Sequence, residues 1–230
     1  MFMSVVWFIR HGESISNANL PTEHPASSPL TSLGELEARC VADVFTEKPS
    51  LITHSSYVRA RQTAEPTIAR FMPVNVEVWP VHEFTYLAPK RYFGTTLSER
   101  RPLAEAYWER MDPHFRDEGE GESFAAFLVR VQNTLTLLRQ QNEPFVAVFS
   151  HGLFIGGILW ALLHGLPDAL REEDVTPRMM RRYSHFVRGM HIPNGSILAV
   201  TLNGRFAHIS GIVSDHVAGL EVDEKNGHLP

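Results

Sequence analysis

Residues 5–14 read VVWFIRHGES, an apolar run that stops abruptly at Arg-His-Gly and continues in polar residues. A short continuous run of β-prone apolar residues predicts a strand that is buried on both faces. Residues 145–152, FVAVFSHG, repeat the same pattern much later in the chain. Because open α/β sheets bind ligands at the carboxyl ends of their strands, we expect His11 and His151 to meet in one active site.

Strand-like and helix-like segments alternate along the rest of the chain. A final hairpin, 196–202 with 205–210, is predicted from the Asn203-Gly204 turn between its strands. Alternation of this kind predicts an α/β fold, a three-layer αβα sandwich with a mainly parallel central sheet and helices on both faces. The other predicted strands are 4–9, 50–54, 74–78 and 145–149, and the predicted helices are 32–45, 57–71, 122–141 and 151–164.

The domain organisation follows from length and composition. A chain of 230 residues with 43% hydrophobic residues can bury one full core, so residues 1–230 are interpreted as a single domain. Residues 84–121 and 165–193 show no clear periodicity, and the first of them is expected to form a cap insertion over the active-site edge. Residues 217–230 are expected to form a flexible tail.

Charge and cysteine content restrict the class of protein. The formal net charge of −5 offers no basic field for nucleic acid or an anionic membrane. The single cysteine, Cys40, excludes an internal disulfide framework and suits a reducing compartment. Arg10 interrupts the first apolar run, as it would not in a signal peptide, and the apolar run 153–163 is too short for a membrane span. These features predict a cytoplasmic location.

The two His-Gly corners and their arginines favour phosphoryl transfer. A neutral imidazole attacks phosphorus without a metal and forms a phosphohistidine. The phosphoryl oxygens then need cations, and a planar guanidinium suits that role. Arg10 directly precedes His11. Arg59 lies in the first turns of the predicted helix 57–71, where backbone N–H groups would add donors for an anion. The alternative is that Arg61 faces inward and Arg59 lies on the helix surface.

The leaving oxygen of such a reaction needs a proton from a positioned acid. Glu83 is the candidate, because it follows the predicted strand 74–78 and would leave that strand at the same edge of the sheet. Glu77 and Glu99 are the alternatives. No histidine pair has metal-binding spacing on a convincing helix, and no cysteine cluster is present, so neither a metal nor another cofactor is expected.

Several ordered segments together resemble the phosphoglycerate-mutase-like branch, branch 1, of the histidine phosphatase superfamily. The resemblance runs the length of the chain. It implies a metal-independent phosphatase that hydrolyses phosphate monoesters through a phosphohistidine intermediate. The segments are Arg10-His11-Gly12-Glu13-Ser14 with Asn17, Leu30-Thr31 with Gly34 and Ala38, Ser55 to Ala64, Gly121-Glu122-Ser123-Phe124, Ser150-His151-Gly152, and Asn194-Gly195-Ser196.

The resemblance also implies a role for each matching residue. His11 would be the phosphorylated nucleophile. Glu83 would act as general acid in the first half-reaction and as the base that activates water in the second. His151 would contact the phosphoryl oxygens, which favours its protonated form at moderately acid pH. The phosphate-binding residues would be Arg10, Asn17, Arg59 and His151.

The segment after Glu83 departs from the cofactor-dependent mutases of this family. Those enzymes carry a lysine and a paired-arginine element that hold a bisphosphate. The chain has basic pairs here, but the surrounding sequence and spacing do not match, so we favour a phosphatase over mutase-type phosphoryl transfer. A weakly active member that binds a phosphoprotein or regulatory partner is the further alternative. The substrate-binding candidates in this segment are Tyr86, Arg91, Arg100 and Arg101, although the basic ones could equally form a solvated face.

The expected partner is a small phosphorylated metabolite, because the 84–121 insertion should wall the pocket. Phe84, Tyr86, Tyr92 and Phe93 are expected to line its mouth. Neither nucleic acid nor a membrane is expected as a partner. A homodimer is possible, since pairing at a sheet edge is common in the family, but nothing in the sequence marks an interface.

Overall fold

A six-stranded sheet forms the centre of the computed structural model, which describes residues 3–204 and 206–220. The strand order is β3-β2-β4-β1-β5-β6. The first four of these strands are parallel, whereas β5 runs antiparallel to β1 and pairs with β6 as a hairpin. The strands are β1 (Met3–Arg10), β2 (Leu51–Ser55), β3 (Asn75–Trp79), β4 (Phe145–Ser150), β5 (Ile197–Asn203) and β6 (Phe206–Val213).

Helices cover both faces of the sheet, which confirms the predicted α/β sandwich. One apolar cluster contains side chains of the helices α1 and α2, and a larger one contains side chains of α3 to α6. Consecutive strand residues enter opposite clusters, Phe8 the larger one and Ile9 the smaller. The helices are α1 (Ser32–Val44), α2 (Val58–Phe71), α3 (Leu97–Arg110), α4 (Phe124–Gln140), α5 (Gly152–His164) and α6 (Pro177–Arg188).

Strand register places the two histidine motifs side by side. Arg10, the last residue of β1, lies opposite Ser150, the last residue of the parallel strand β4. His11 and His151 therefore leave neighbouring strands at the same edge of the sheet. The strands β2 and β3 end at this edge as well, so that the segments after them also reach it.

Two helices lie in the segments that the sequence indicates as irregular. The helix α3 lies within 84–121 and begins with a capping box between Thr96 and Glu99. The helix α6 lies within 165–193 and begins with Thr176 as N-cap and Pro177 in the first turn. Both segments are thus partly helical.

The predicted tail and the predicted hairpin both include positions that the structure does not describe. Of the predicted tail 217–230, residues 221–230 lie outside the described residues, as does position 205 in the predicted hairpin. Across 3–204 and 206–220, none of the helices has the length and apolar character needed to cross a bilayer.

Candidate active site

A cavity of about 400 Å³ opens at the carboxyl edge of the parallel strands. Its floor contains the two residues that end β1 and start the following loop, Arg10 and His11, with Arg59 beside them. Glu83, from the segment after β3, and Asn17 also line it. The structure therefore brings five of the sequence-predicted site residues to one cavity, although they come from distant parts of the chain.

His11 is held in one tautomer by its two ring contacts. Its Nδ1 lies 2.7 Å from the carbonyl oxygen of Gly12, which can only accept, so Nδ1 carries the proton. Nε2 is then unprotonated and accepts a hydrogen bond of 3.0 Å from Arg59 Nε. Burial, and secondly the charges of Arg59 and Arg10, lower the pKa of His11 well below its usual range. His11 thus presents a nucleophilic Nε2 lone pair.

Two guanidinium groups lie near His11, and that of Arg59 contacts this nitrogen. Arg59 is 7% exposed and donates a second hydrogen bond, from Nη1 to the carbonyl of Pro25. Arg10 donates from Nη1 to the carbonyl of Ile192, and its buried Nε has no hydrogen-bond partner among the described residues. Burial lowers the pKa of both arginines, and the negative charge of Glu83 offsets part of that effect. Both groups retain N–H donors for an anion.

His151 lies behind His11 and does not line the cavity. The two ring centroids are 4.9 Å apart, and His151 is fully buried. Its Nε2 forms a hydrogen bond of 2.9 Å with Ser55 Oγ, while Nδ1 is without a partner in the described part of the chain. Burial, and then the charge of Arg59, lower the pKa of His151 well below its usual range. This direction favours neutral His151 in the ligand-free site, and its protonated form beside a bound phosphoryl group stays a prediction.

The Glu83 carboxylate lies at the N-terminus of α5. Its Oε1 accepts hydrogen bonds from the backbone N–H groups of Phe84 and Phe154, at 3.0 and 3.2 Å. Its Oε2 accepts from the N–H of Leu153 at 3.3 Å. These donors orient the carboxylate between the cavity and a smaller neighbouring cavity of about 240 Å³, which Glu83, Arg10 and Leu153 also line.

The alternative acids lie elsewhere. Glu77 accepts a hydrogen bond from Trp79 Nε1 on β3, and Glu99 belongs to the capping box at the start of α3. Neither residue lines the cavity. Glu83 is therefore the candidate that the structure places beside His11 and the arginines.

Asn17 presents one side of its amide to the protein and lines the cavity. Its Oδ1 accepts from the backbone N–H and the hydroxyl of Ser14 and from Asn194 Nδ2. Asn194 Nδ2 also donates to the carbonyl of His11. The Asn17 Nδ2 group is consequently the part that can donate to a ligand, and Asn194 holds the loop that carries both residues.

The 84–121 segment supplies three of its four substrate-binding candidates to the cavity. Tyr86, Arg100 and Arg101 line it. Arg91 does not, because its guanidinium forms ion pairs with two acidic residues at Asp117 and Glu118. The expectation for Arg91 is therefore corrected: its charge is taken up inside the insertion.

Of the aromatic residues expected at the mouth of the pocket, three line the cavity and one does not. Phe84 and Tyr92 line the cavity with Tyr86, whereas Phe93 is 73% exposed and does not line it. Burial raises the pKa of Tyr86 to about 12, so its hydroxyl remains a neutral donor. Three aromatic side chains of this segment thus line the cavity.

Sequence reasoning missed two contributors. Tyr57 lines the cavity, lies 5.1 Å from the Arg59 guanidinium carbon and shares a hydrogen bond with Thr85. Its position inside the arginine motif was the available signal. Gly152 begins α5 next to the Arg10 side chain and lines the smaller neighbouring cavity, and a His-Gly corner before a helix indicates such a place for an anion. Over 3–204 and 206–220, histidine, cysteine and carboxylate side chains form no group of three placed to hold a metal.

Comparison with known proteins agrees with this geometry. The family model of the histidine phosphatase superfamily, branch 1, matches residues 6–185. A protein named probable phosphoglycerate mutase GpmB, from Yersinia enterocolitica, is 30% identical over 177 residues, which cover 72% of this chain and 77% of that protein. The GpmB protein of Proteus mirabilis is 29% identical over 236 residues, covering 96% of this chain and 99% of its own.

Solved structures show the same fold at lower identity. The α-ribazole phosphatase of Shigella flexneri superposes with a TM-score of 0.69 at 22% identity, covering 95% of this chain and 100% of that one. A phosphoserine phosphatase of Entamoeba histolytica, solved with 3-phosphoglyceric acid, gives a TM-score of 0.68 at 20% identity, over 93% and 99%. The fold, the ordered motifs and the family match agree: the chain belongs to branch 1 of the histidine phosphatase superfamily.

Proposed function

We propose that the protein is a metal-independent phosphatase that hydrolyses phosphate monoesters through a phosphohistidine on His11. One observation carries the proposal: the unprotonated Nε2 of His11 accepts from Arg59 in a cavity that Glu83 also lines. Nucleophile, cations and acid are the three groups that the reaction needs.

In the first half-reaction the Nε2 lone pair of His11 attacks phosphorus, and the bond from phosphorus to the ester oxygen breaks. Arg10, Arg59 and the Asn17 amide donate to the phosphoryl oxygens. The proton on the Glu83 carboxyl moves to the leaving oxygen, so an alcohol departs. His11 is left phosphorylated, and Glu83 is left as a carboxylate.

In the second half-reaction the Glu83 carboxylate takes a proton from water, whose oxygen attacks phosphorus. The phosphorus–nitrogen bond breaks, and the electron pair returns to His11 Nε2. Inorganic phosphate leaves, and the carboxyl group is protonated again. His151 packs against the His11 ring, and its unpartnered Nδ1 is free to form a hydrogen bond with a phosphoryl oxygen on His11.

Mutase-type phosphoryl transfer is the second candidate, because the relatives reported above are named as mutases. A mutase must hold its substrate and retain the phosphoryl group until transfer. Hydrolysis is supported by the first basic pair of the insertion: Lys90 and Arg91 are bound to Glu118 and Asp117 and do not line the cavity. Only the second pair, Arg100 and Arg101, lines it. Activation of the enzyme by a bisphosphate, together with transfer of the phosphoryl group from one hydroxyl of the substrate to another, would favour the mutase.

The cavity supports a small substrate. Its volume is near the lower end of the usual range of about 300–1,000 Å³ for small-molecule sites. Tyr57, Phe84, Tyr86 and Tyr92 provide aromatic surface for the organic part of the ester, and Arg100 lies on the same wall. A small phosphorylated metabolite is therefore the proposed substrate class.

The test is phosphate release from a panel of phosphate monoesters in the presence of chelator. We expect release by the native protein, an acid-labile phosphohistidine after rapid quenching, and less than about one-thousandth of the rate in His11→Ala. His208→Ala, on the exposed face of β6, is the matched control and should keep full activity. Activity that chelator abolishes, or that survives in His11→Ala, contradicts the mechanism.

A further inference from the structure

An ion pair lies behind the segment that carries Glu83. Arg130, on α4, donates from Nε and Nη2 to the two carboxylate oxygens of Glu122, at 2.9 and 2.8 Å. Both side chains are largely buried, at 11% and 16% exposure. This bidentate geometry fixes the plane and direction of the guanidinium.

The remaining guanidinium nitrogen reaches the backbone that precedes Glu83. Arg130 Nη1 donates to the carbonyl of Pro80 at 3.0 Å and to that of His82 at 2.8 Å. The segment between β3 and Glu83 has no regular structure of its own. Arg130 therefore holds two carbonyls of this segment, and the Ser150 hydroxyl donates to the one between them, that of Val81.

Glu122 and its neighbour hold the backbone that follows Glu83. The N–H of Glu122 donates to the carbonyl of Thr85 at 2.8 Å. A Cβ at Gly121 would lie 2.4 Å from the carbonyl oxygen of Tyr86, so only glycine allows this approach. The Gly121-Glu122 motif thus contacts the segment just after Glu83.

Arg130 also touches the helix that donates to the Glu83 carboxylate. Its guanidinium carbon lies 5.0 Å from the ring centre of Phe154, whose backbone N–H is bonded to Glu83 Oε1. Contacts before, after and in front of Glu83 therefore converge on one ion pair. Neither Arg130 nor Glu122 lines the cavity.

We propose that the Arg130–Glu122 pair is a positioning device that holds the Glu83 carboxyl at the distance and angle needed for proton transfer. The inference rests on the proposed function, in which Glu83 is the acid and base. Both residues are positioning residues, since they act through backbone carbonyls and do not touch the substrate. Their loss should affect proton transfer and leave phosphate binding nearly unchanged.

The test compares esters with poor and good leaving groups in single-turnover phosphorylation of His11. An alkyl phosphate needs a proton on its leaving oxygen, whereas a nitrophenyl phosphate needs it far less. We expect Arg130→Met to lower the phosphorylation rate about 10- to 100-fold with alkyl phosphates, and less than about threefold with nitrophenyl phosphate. The KM should change less than about threefold.

A double-mutant cycle separates positioning from general damage to the fold. In Glu83→Gln, which has lost the acid, Arg130→Met should lower the alkyl phosphate rate no further, because the two changes remove one function. Arg139→Met is the matched control. Arg139 lies on the same helix, paired with Asp168 and away from Glu83, and its change should leave both substrates unaffected.

Arg130→Met leaves the largely buried Glu122 carboxylate unpaired, so the variant protein must be shown to fold, and two milder variants are compared with it. Arg130→Lys keeps the charge but loses the fork, and Glu122→Gln keeps the shape but loses one charge. Both should show the same preference for good leaving groups in weaker form. The charge of Arg130 is the second cause, after burial, of the low pKa of His82, about 4, so a rise in that pKa reports the altered contact independently.

The outcomes separate the two proposals. In one outcome Glu83→Gln lowers the rate with alkyl phosphates, but Arg130→Met has no more effect than Arg139→Met. This result overturns the positioning role and leaves the phosphatase mechanism intact. Equal losses with both leaving groups, or further loss in the Glu83→Gln background, also overturn it, because those results indicate structural damage. A Glu83→Gln variant with native rates overturns the acid assignment and the positioning role together.

Discussion

Replacing Arg59 should separate activity from stability. The guanidinium is 7% exposed and forms no salt bridge among the described residues, while its Nε donates to the nucleophilic nitrogen of His11. After attack, that N–H can turn to a phosphoryl oxygen with a second N–H of the same fork. A hydrogen bond to a charged group contributes about 1.5–3 kcal/mol, so two give about 3–6 kcal/mol.

At about 1.4 kcal/mol per factor of ten, Arg59→Met should lower kcat/KM by about 10²- to 10⁴-fold. Arg59→Lys keeps one charged donor and should lower kcat/KM about 10- to 100-fold. The free energy of unfolding should behave differently. Burial opposes the charged form of Arg59, and an apolar replacement of similar volume removes that penalty while losing the bond to Pro25. We therefore expect the free energy of unfolding of Arg59→Met to change by less than about 1 kcal/mol, or to rise.

The assays are steady-state hydrolysis of a nitrophenyl phosphate and chemical denaturation of the same preparations. The control is Arg61→Met, two positions later on α2, where the side chain is 54% exposed and paired with Glu65. It should alter neither quantity. The reasoning is refuted if Arg59→Met loses less than about fivefold in kcat/KM, or if its unfolding free energy falls in step with its activity.

Three further results are expected. Burial lowers the pKa of His11 and His151 below the unfolded value near 6.5, so the unfolded chain takes up protons that the folded one does not; the free energy of unfolding should fall as the pH drops below about 6.5, and less steeply in His151→Gln. Burial raises the pKa of Glu37, so its ionised form destabilises the fold at neutral pH; Glu37→Gln should raise the melting temperature there, with the gain vanishing as the pH falls to about 4.5. Arg100→Met breaks the bonds from α3 to Thr22 and Ser16 and should raise the KM about 10-fold by loosening the cavity wall, which Arg61→Met, outside the cavity lining, should not do in the same kinetic assay.

Buried strands and capped helices could be predicted from the sequence because their signals are local. The apolar run at 5–9 supplies three fully buried residues, and Thr31 caps α1 by accepting from the N–H of Gly34. The helices α3 and α6 were missed because charged residues are frequent in both. The first, rich in charged residues, buries only Arg100, Tyr107 and Trp108. The second carries a Thr-Pro start signal that its four arginines obscured.

Part of the candidate site could likewise be predicted from the sequence, and part could not. His11, Arg59 and Glu83 follow strands, and parallel strands end at one edge, so their meeting was predictable. The state of His151 was not, because its pKa depends on complete burial behind His11, which no local pattern shows. The contacts of Arg130 with Pro80 and His82 were also out of reach, since they depend on how α4 packs against a segment without periodicity.

The central place of β1 has a consequence for how the molecule folds. Val5 lies between Phe145 on one side and Thr201 on the other, so this apolar strand gains its partners only after most of the chain has been synthesised. Long-range pairing of this kind slows folding and leaves an unpaired edge exposed in the meantime. During synthesis, residues 5–9 are therefore the segment that we expect chaperones to bind and, where they fail, the segment from which aggregation starts.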